Sequence, residues 1–598
     1  MTDPEPTLAA ETDSPSPAGG EPARRPWLVW AVATAYLGVL LTSLDTPLWL
    51  DEAWVVEDLL GTPLLLPGQS VREAAYEWLL QSWMLVAGAS IASLRLLMIG
   101  FSMATVWALA RAARPAQSCP GATLLVFTSF PVIVHFAVEI NRYAELALGA
   151  TLCVWACLEL ARRPRVWPCV GLVVAGAASF HIHNTAAVTL LAVTGGVLAL
   201  HALVAPAEER RARVAVCLGV PLAQLLLVLP GVPALLGRAE VFGQGQKDYL
   251  AHVYSGLTPS SLARVLREVG AGGTTLPPAI GWAGVLVLLA LVIAGLRRPG
   301  RARLTLAAFA CGPPLAAALA SFAQPMFVAR VLIPALPATA LLAARGLPQR
   351  PALLRGIALA LALTTWAGFL LQPWPGNVRP VLQTLSQRAQ LYDGLVVQPP
   401  FARVVLRGNL RVSKVRIPQL TELDFDAPTR MQAARLHYGD SPQRTWVVLH
   451  SFRDYAQPLA DELPLRFAKV SHLTRSTGYT LLLCEGPLPP EQLLQRCREP
   501  EVQARSPALA AFREGSVLLH TGRVDEALAC FARARDAMPT GLAHDEREAK
   551  DDRAQLAWAT AWASHRAGKH QQARVALAEA EELGTTVPPA VREAILGR

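Results

Sequence analysis

PPAIGWAGVLVLLALVIAGL, residues Pro277–Leu296, runs from end to end without a charge. A helix of about 20 apolar residues, rising 1.5 Å each, crosses the roughly 30 Å hydrocarbon layer of a bilayer. Leu304–Ala323 follows at once and is also uncharged. One such run fits a buried core helix, but a succession of them does not. Outward from this pair, similar runs at 27–44, 92–111, 121–137, 144–161, 167–182, 184–204, 214–235, 328–344 and 353–372 bring the expected total to about eleven spans. The expected fold is mainly α: a polytopic membrane bundle, then a small soluble α/β domain and a C-terminal helical segment.

The composition agrees. The chain has 598 residues, 53% hydrophobic and 17% charged, against roughly 25% charged in an ordinary soluble domain. The net charge of +9 raises a nucleic-acid reading, and its distribution excludes it. Arginines cluster in alternate loops: Arg24 and Arg25, Arg111 and Arg114, Arg162 to Arg165, Arg210 to Arg213, Arg297 to Arg303, Arg345 to Arg355. The loops between are poor in Arg and Lys. This alternation places the basic loops and the N-terminus in the cytoplasm of a plasma or inner membrane, and the C-terminal third outside.

Four segments are expected: a disordered acidic tail at 1–26, a transmembrane domain at 27–372, an α/β domain at 377–500 and a helical segment at 505–598. Leu395–Val397, Trp446–Leu449 and Tyr479–Leu483 read as strands of the α/β domain. In the helical segment Gly522, Ala527, Phe531 and Ala534 align with Gly568, Ala573, Leu577 and Ala580. With Gly515 and Pro539 the first set fits a tetratricopeptide pattern, which suits a protein partner. Two repeats fall short of the roughly three that such arrays need, so an ordinary helical hairpin is the plain alternative. Cys484, Cys497 and Cys530 fall on the outer side, where a disulfide is open to them. No cysteine spacing suits zinc.

The chemistry-bearing stretch is Trp49-Leu50-Asp51-Glu52-Ala53-Trp54, just beyond the first span. Adjacent carboxylates at a membrane surface are costly to desolvate. A lipid-linked sugar presents its anomeric carbon at that interface, and an acceptor hydroxyl attacking it must lose a proton, which a carboxylate can take. The leaving phosphate then needs a cation. A solvated acidic loop that helps set topology is the bland alternative.

Four motifs resemble the GT-C glycosyltransferases, membrane enzymes using polyprenyl-phosphate sugars. They are LDEAW at Leu50–Trp54, YEWLLQSWMLVAGASIASLRLLM at Tyr76–Met98, HFAVEINRYAELAL at His135–Leu148 and FVARVLIPALPATALLAARGL at Phe327–Leu347. FHIHNTAAVTLLAV at Phe180–Val193 is similar to a further family turn carrying a histidine. The likeness covers the first ~345 residues and is nearest to protein O-mannosyltransferases, lipid A aminoarabinose transferases and rhizobial galacturonosyltransferases.

The resemblance implies an inverting enzyme with Asp51 as catalytic base and Glu52 as its partner or organiser. Glu139, Arg142, Tyr143, His183 and Arg330 take substrate-binding roles, with a turn or interface histidine as the plain alternative for His183; Lys247 is a substitute candidate for the phosphate, or an exposed loop lysine. Arg95 also matches a family residue, with anchoring of the packing as its simpler role. Asn141 stands where the family has arginine, and Val331 where it has tyrosine, which bears on the phosphate contacts. No cofactor is demanded, because guanidinium or ammonium groups can meet a monophosphate leaving group; a divalent metal stays open. The implied partners are a polyprenyl-phosphate-linked sugar, membrane lipids, and a glycan, lipid or protein acceptor, with no nucleic acid. Two other readings are a non-catalytic relative serving as an assembly scaffold, and a transporter of lipid-linked sugars.

Overall fold

The computed structural model describes residues 26–61, 74–233, 258–270, 278–323, 328–347, 352–371, 377–399, 401–413, 415–423, 429–435, 442–450, 456–476, 478–538, 546–585, 587 and 589–597. The chain divides into two units. The first takes 1–43, 67–76 and 96–371; the second takes 44–66, 77–95 and 372–598. The stretch just after the first span therefore clusters with the C-terminal third, not with the helical bundle.

Among the described residues six helices are long and apolar enough to cross a membrane: Ile91–Ala112, Tyr143–Arg162, Ala186–Leu203, Ala207–Gly231, Ala279–Arg297 and Ala302–Phe322. Shorter apolar helices are Pro26–Leu41, Val166–Ile182 and Gly356–Leu371. Ala207–Gly231 is strongly apolar, yet only 17% of its most apolar stretch is buried within the protein. Leu218, Leu222, Leu225 and Leu226 face outward on it, as Leu286 and Leu289 do on Pro278–Arg297. Apolar surface of that extent suits hydrocarbon and not water. Helices also meet backbone to backbone at glycines. A Cβ on Gly295 would lie 2.0 Å from the Leu342 carbonyl oxygen, and one on Gly346 would lie 2.3 Å from that of Leu291. Such close approach is the usual way of packing helices where lipid gives no hydrophobic drive.

Two of the expected runs are not single α-helices. The run 121–137 splits into Pro120–Thr128 and Pro131–Phe136. Pro131 forces Phe130 into an extended conformation. The freed carbonyls do not go unpaired: Trp366 Nε1 donates to Thr128 O at 3.0 Å and Thr365 Oγ1 to Ser129 O at 2.8 Å. The run 328–344 opens as a 3₁₀ turn, Ala329–Ala335, before the helix Leu336–Gly346, because Pro334 and Pro337 each lack an N–H. Between the runs 214–235 and 277–296 lies the helix Pro259–Gly270; the Thr258 and Ser261 side chains each cap the other's N–H, at 3.1 and 2.9 Å.

The second unit carries a five-stranded sheet in the order β2-β1-β3-β5-β4. The strands are β1 (Gly394–Gln398), β2 (Thr421–Glu422), β3 (Arg444–His450), β4 (Phe467–Ser476) and β5 (Tyr479–Pro487). β2, β1 and β3 are parallel, while β5 and β4 run antiparallel to their neighbours. Val396, Val447, Leu449, Phe467 and Leu482 fill one core with Leu459 and Leu463 of the helix Gln457–Arg466. Cys484, Cys497 and Cys530 are all buried free thiols, so the open disulfide does not form among them; burial pushes the Cys484 thiol up to about 12.

Beyond the sheet, Pro507–His520 pairs with Val524–Asp536, and Glu546–Arg566 with His570–Glu582. Residues aligned in the sequence do the same work in both hairpins. Gly522 and Gly568 turn at positive φ, +82° and +74°, and Ala527, Phe531 and Ala534 are buried like Ala573, Leu577 and Ala580.

A buried ion triad ties this helical section to the sheet domain. Arg466 Nε and Arg513 Nε each donate to one oxygen of Glu462, both at 2.7 Å. Burial works to raise the Glu462 carboxyl, but the two guanidiniums outweigh it and hold it below its ordinary range. A lowered folded-state pKa stabilises the protein above the unfolded value and loses that contribution as pH falls through the folded one. Glu462→Gln should therefore cost about 3 kcal/mol at neutral pH, by stranding two buried cations. In urea titrations from pH 7 down to 3, the difference between wild type and variant should shrink with acidification. A difference independent of pH would refute the assignment.

Candidate functional site

In the second unit the acidic pair opens the helix Leu50–Gly61. Glu52 occupies the third helical position and reaches back: its Oε2 accepts from the Trp49 N–H at 3.2 Å. The carboxylate is fully buried and paired with an equally buried Arg95, whose Nη2 lies 2.9 and 3.2 Å from the two oxygens and whose Nε lies 3.4 Å from Oε1. Arg95 also donates to Thr46 O at 2.7 Å, to Pro47 O at 3.2 Å and to the Thr46 hydroxyl. Arg95 thus fixes the segment 46–47 and the helix start in one contact set. Asp51, one residue earlier, is half-exposed on the same turn. The adjacent carboxylates differ in burial: Glu52 is fully buried in its ion pair and Asp51 is half-exposed. A negative charge at a helix N-terminus is favoured by the backbone dipole.

The C-terminal domain holds this turn from behind. The Asn409 carboxamide, on the helix Phe401–Val412, accepts from Leu48 N–H and donates to Leu48 O, both at 2.9 Å. Gly408 abuts Ala53, whose Cβ and carbonyl oxygen would lie 3.2 Å from an added Cβ. Arg411 pairs with Glu57 at 3.0 Å. Asn409→Ala leaves two buried backbone groups unpaired, a cost of about 1–3 kcal/mol. Hydrogen exchange at the Leu48 amide should accelerate accordingly, and unchanged protection would show that the contact carries no weight.

The first unit holds the other expected residues. The turn after Pro131–Phe136 is organised by Asn141, at the place where the family resemblance leads one to expect arginine. Its Nδ2 donates to Glu139 Oε1 at 3.0 Å, and its Oδ1 accepts from the Arg142 N–H at 2.8 Å. Glu139 is buried, with His135 Nε2 3.9 Å away. The Arg142 guanidinium lies over the Tyr76 ring at 5.5 Å. Tyr143 begins the helix Tyr143–Arg162, and three groups converge on its ring: Phe136 at 4.5 Å, His183 at 5.7 Å and the Arg330 guanidinium at 5.9 Å. A small cavity beside it is lined by Tyr36, Ser102, Thr105, Phe136 and Tyr143. His183 caps the helix Asn184–Leu203, its Nδ1 accepting from Ala186 N at 3.5 Å.

Tyr143, His183 and Arg330 are therefore brought together, with Arg142 on the neighbouring turn residue. Lys247 lies outside the described residues. Among the described residues no three His, Cys, Asp or Glu side chains come together as a metal-binding group. Of the organising residues, Arg95 was expected to anchor the packing and Asn141 was noted only as a departure from the family motif, while Asn409 was not assigned at all. Arg95 was visible as a charge within an apolar run, whereas Asn409 had no signal.

No family model matches the chain, and no curated protein matches it in sequence. Among the solved structures similar to it are two of one protein. ArnT from Cupriavidus metallidurans bound to undecaprenyl phosphate aligns with 15% identity and a TM-score of 0.46, over 76% of this chain and 97% of that one. The apo form of the same protein gives 15% and 0.46, over 77% and 98%.

Proposed function

We propose that the chain is a GT-C-type membrane glycosyltransferase moving a sugar from a polyprenyl-phosphate donor to an acceptor hydroxyl on the extracytoplasmic face. The observation that carries the reading is the fixed helix start just beyond the first span: Glu52 is held by Arg95 and by the Trp49 N–H, which sets the place of the half-exposed Asp51 one residue away. A carboxylate positioned by a rigid helix start can accept a proton.

In this reading Asp51 takes the proton of the acceptor hydroxyl as its oxygen attacks the anomeric carbon. The bond from that carbon to the phosphate oxygen breaks, its electron pair leaves with the phosphate, and the configuration inverts. Glu52 orients the turn and does not itself transfer a proton. Arg142 and Arg330 meet the phosphate charge, and Tyr143 and His183 shape the surroundings of Arg330. The aromatic ring beneath each guanidinium supports it by cation–π attraction and keeps it extended. The paired helical hairpins at the C-terminus serve as a tetratricopeptide-like platform for a protein partner.

The purified protein, incubated with a panel of polyprenyl-phosphate sugars and membrane fractions, should release free polyprenyl phosphate from at least one donor and add the sugar's mass to an acceptor glycan, lipid or protein. Failure with every donor, while the protein remains folded, would remove the reading.

A further inference from the structure

The arginine-rich end of the first unit carries a second feature, which goes beyond the transfer reading and does not rest on it. Arg345 sits in the last turn of the helix Leu336–Gly346 and is 1% exposed. Its Nη2 donates to Pro299 O at 3.0 Å, to Arg298 O at 3.3 Å and to Gln117 Oε1 at 3.4 Å. Its Nε and Nη1 are buried and have no hydrogen-bond partner, and the same holds for Arg298 Nε. The charges acting on Arg345 are themselves positive, those of Arg298 and Arg303. Among the described residues no carboxylate pairs with any of the three. Glu209, which feels Arg301, is already taken by Arg213 at 2.6 Å.

Buried cationic donors without an anion are costly, and a protein that keeps them generally supplies a counter-charge. The geometry favours a small oxyanion. Arg298 is half-exposed and Arg303 exposed, so the cluster opens to solvent above the buried Arg345. The turn between them brings Gly300 to φ +137°, where an added Cβ would stand 3.3 Å from Arg345 Nη2. The long helix Ala302–Ala323 starts directly after that turn and contributes its N-terminal dipole. Guanidinium donors and a helix N-terminus are the usual partners of phosphate oxygens, and basic pockets between spans take lipid headgroups.

We propose that Arg345, Arg298 and Arg303, with the helix start at Ala302, form a binding site for a phosphate group. A phospholipid headgroup and free inorganic phosphate share that chemistry, and two arms of one experiment distinguish them. In the first arm the full chain, in neutral maltoside micelles, is titrated with inorganic phosphate against chloride at fixed ionic strength, with the thermal midpoint as readout. In the second it is placed in phosphatidylcholine nanodiscs with and without phosphatidylglycerol, free of phosphate. A rise of the midpoint in the first arm assigns a free-phosphate site, and a rise in the second alone assigns a lipid headgroup. In the responding arm, the double variant Arg298→Ala/Arg303→Ala should weaken the half-saturating concentration by about tenfold or more. It alters surface side chains and so spares folding, where Arg345→Met risks it. Arg163→Ala/Arg165→Ala removes two exposed arginines from outside the cluster and should leave the response intact. No response in either arm, or an equal loss in both double variants, overturns the proposal.

Discussion

Asp51→Asn should lower sugar transfer by about 10²–10⁴-fold, the usual contribution of a positioned general base, while the protein stays folded. Asparagine keeps the size and hydrogen-bonding reach of aspartate. It gives up the favourable charge at the helix start, worth about 0.3–1 kcal/mol. Activity and stability should therefore separate cleanly: little change in thermal midpoint, little change in donor binding, near loss of turnover. Equal turnover in wild type and variant would show that Asp51 is not the base. The same substitution at Glu52 should behave differently. Its carboxylate is committed to Arg95 and to the Trp49 N–H, so Glu52→Gln should lose stability together with activity.

Arg95→Met carries the second large effect. It leaves the fully buried Glu52 carboxylate without its cation, and breaking a buried pair by removing one partner typically costs about 3–5 kcal/mol. It also frees the carbonyls of Thr46 and Pro47 that the guanidinium holds. Chemical denaturation of the wild type, Arg95→Met, Glu52→Leu and the double variant closes a thermodynamic cycle. The double variant should recover a substantial part of the loss, because two apolar side chains of similar volume replace a desolvated pair. Additive losses with no recovery would mean that Arg95 acts through the 46–47 backbone and not through Glu52.

The parts legible in the sequence were those with a strong local signature. The long uncharged runs read as membrane helices because a bilayer imposes length and composition together. β1, β3 and β5 read as strands because they are central and apolar, and Trp446–Leu449 is buried throughout. β4 was invisible for the opposite reason. Phe467–Ser476 is an edge strand, polar and half-exposed along most of its length, so no apolar run announces it. The break between Thr128 and Pro131 could be suspected from the proline, but its repair by Thr365 and Trp366 depends on residues more than 200 positions away.

The candidate site shows the same division. The adjacent carboxylates stood out by their position after the first span. Which of them is buried in an ion pair depended on Arg95, 43 residues later in the chain, and the placement of their helix on Asn409, 361 residues from Leu48. Long-range pairings of this kind leave no trace in local pattern or propensity. Asn141 was noticed only as a departure from a family motif; the structure gives it a positive task, fixing Glu139 and presenting Arg142.

The most direct test of the transferase reading follows the sugar itself. The protein, reconstituted in liposomes with an isotope-labelled polyprenyl-phosphate sugar and acceptor-containing membrane extract, is analysed by mass spectrometry for every species bearing the label. Transfer predicts label on a new, non-polyprenyl acceptor, with free polyprenyl phosphate appearing in equal amount. Label that stays on the intact lipid, whether it crosses to the other leaflet or remains in place, would contradict transfer, leaving a transporter in the first case and a scaffold in the second.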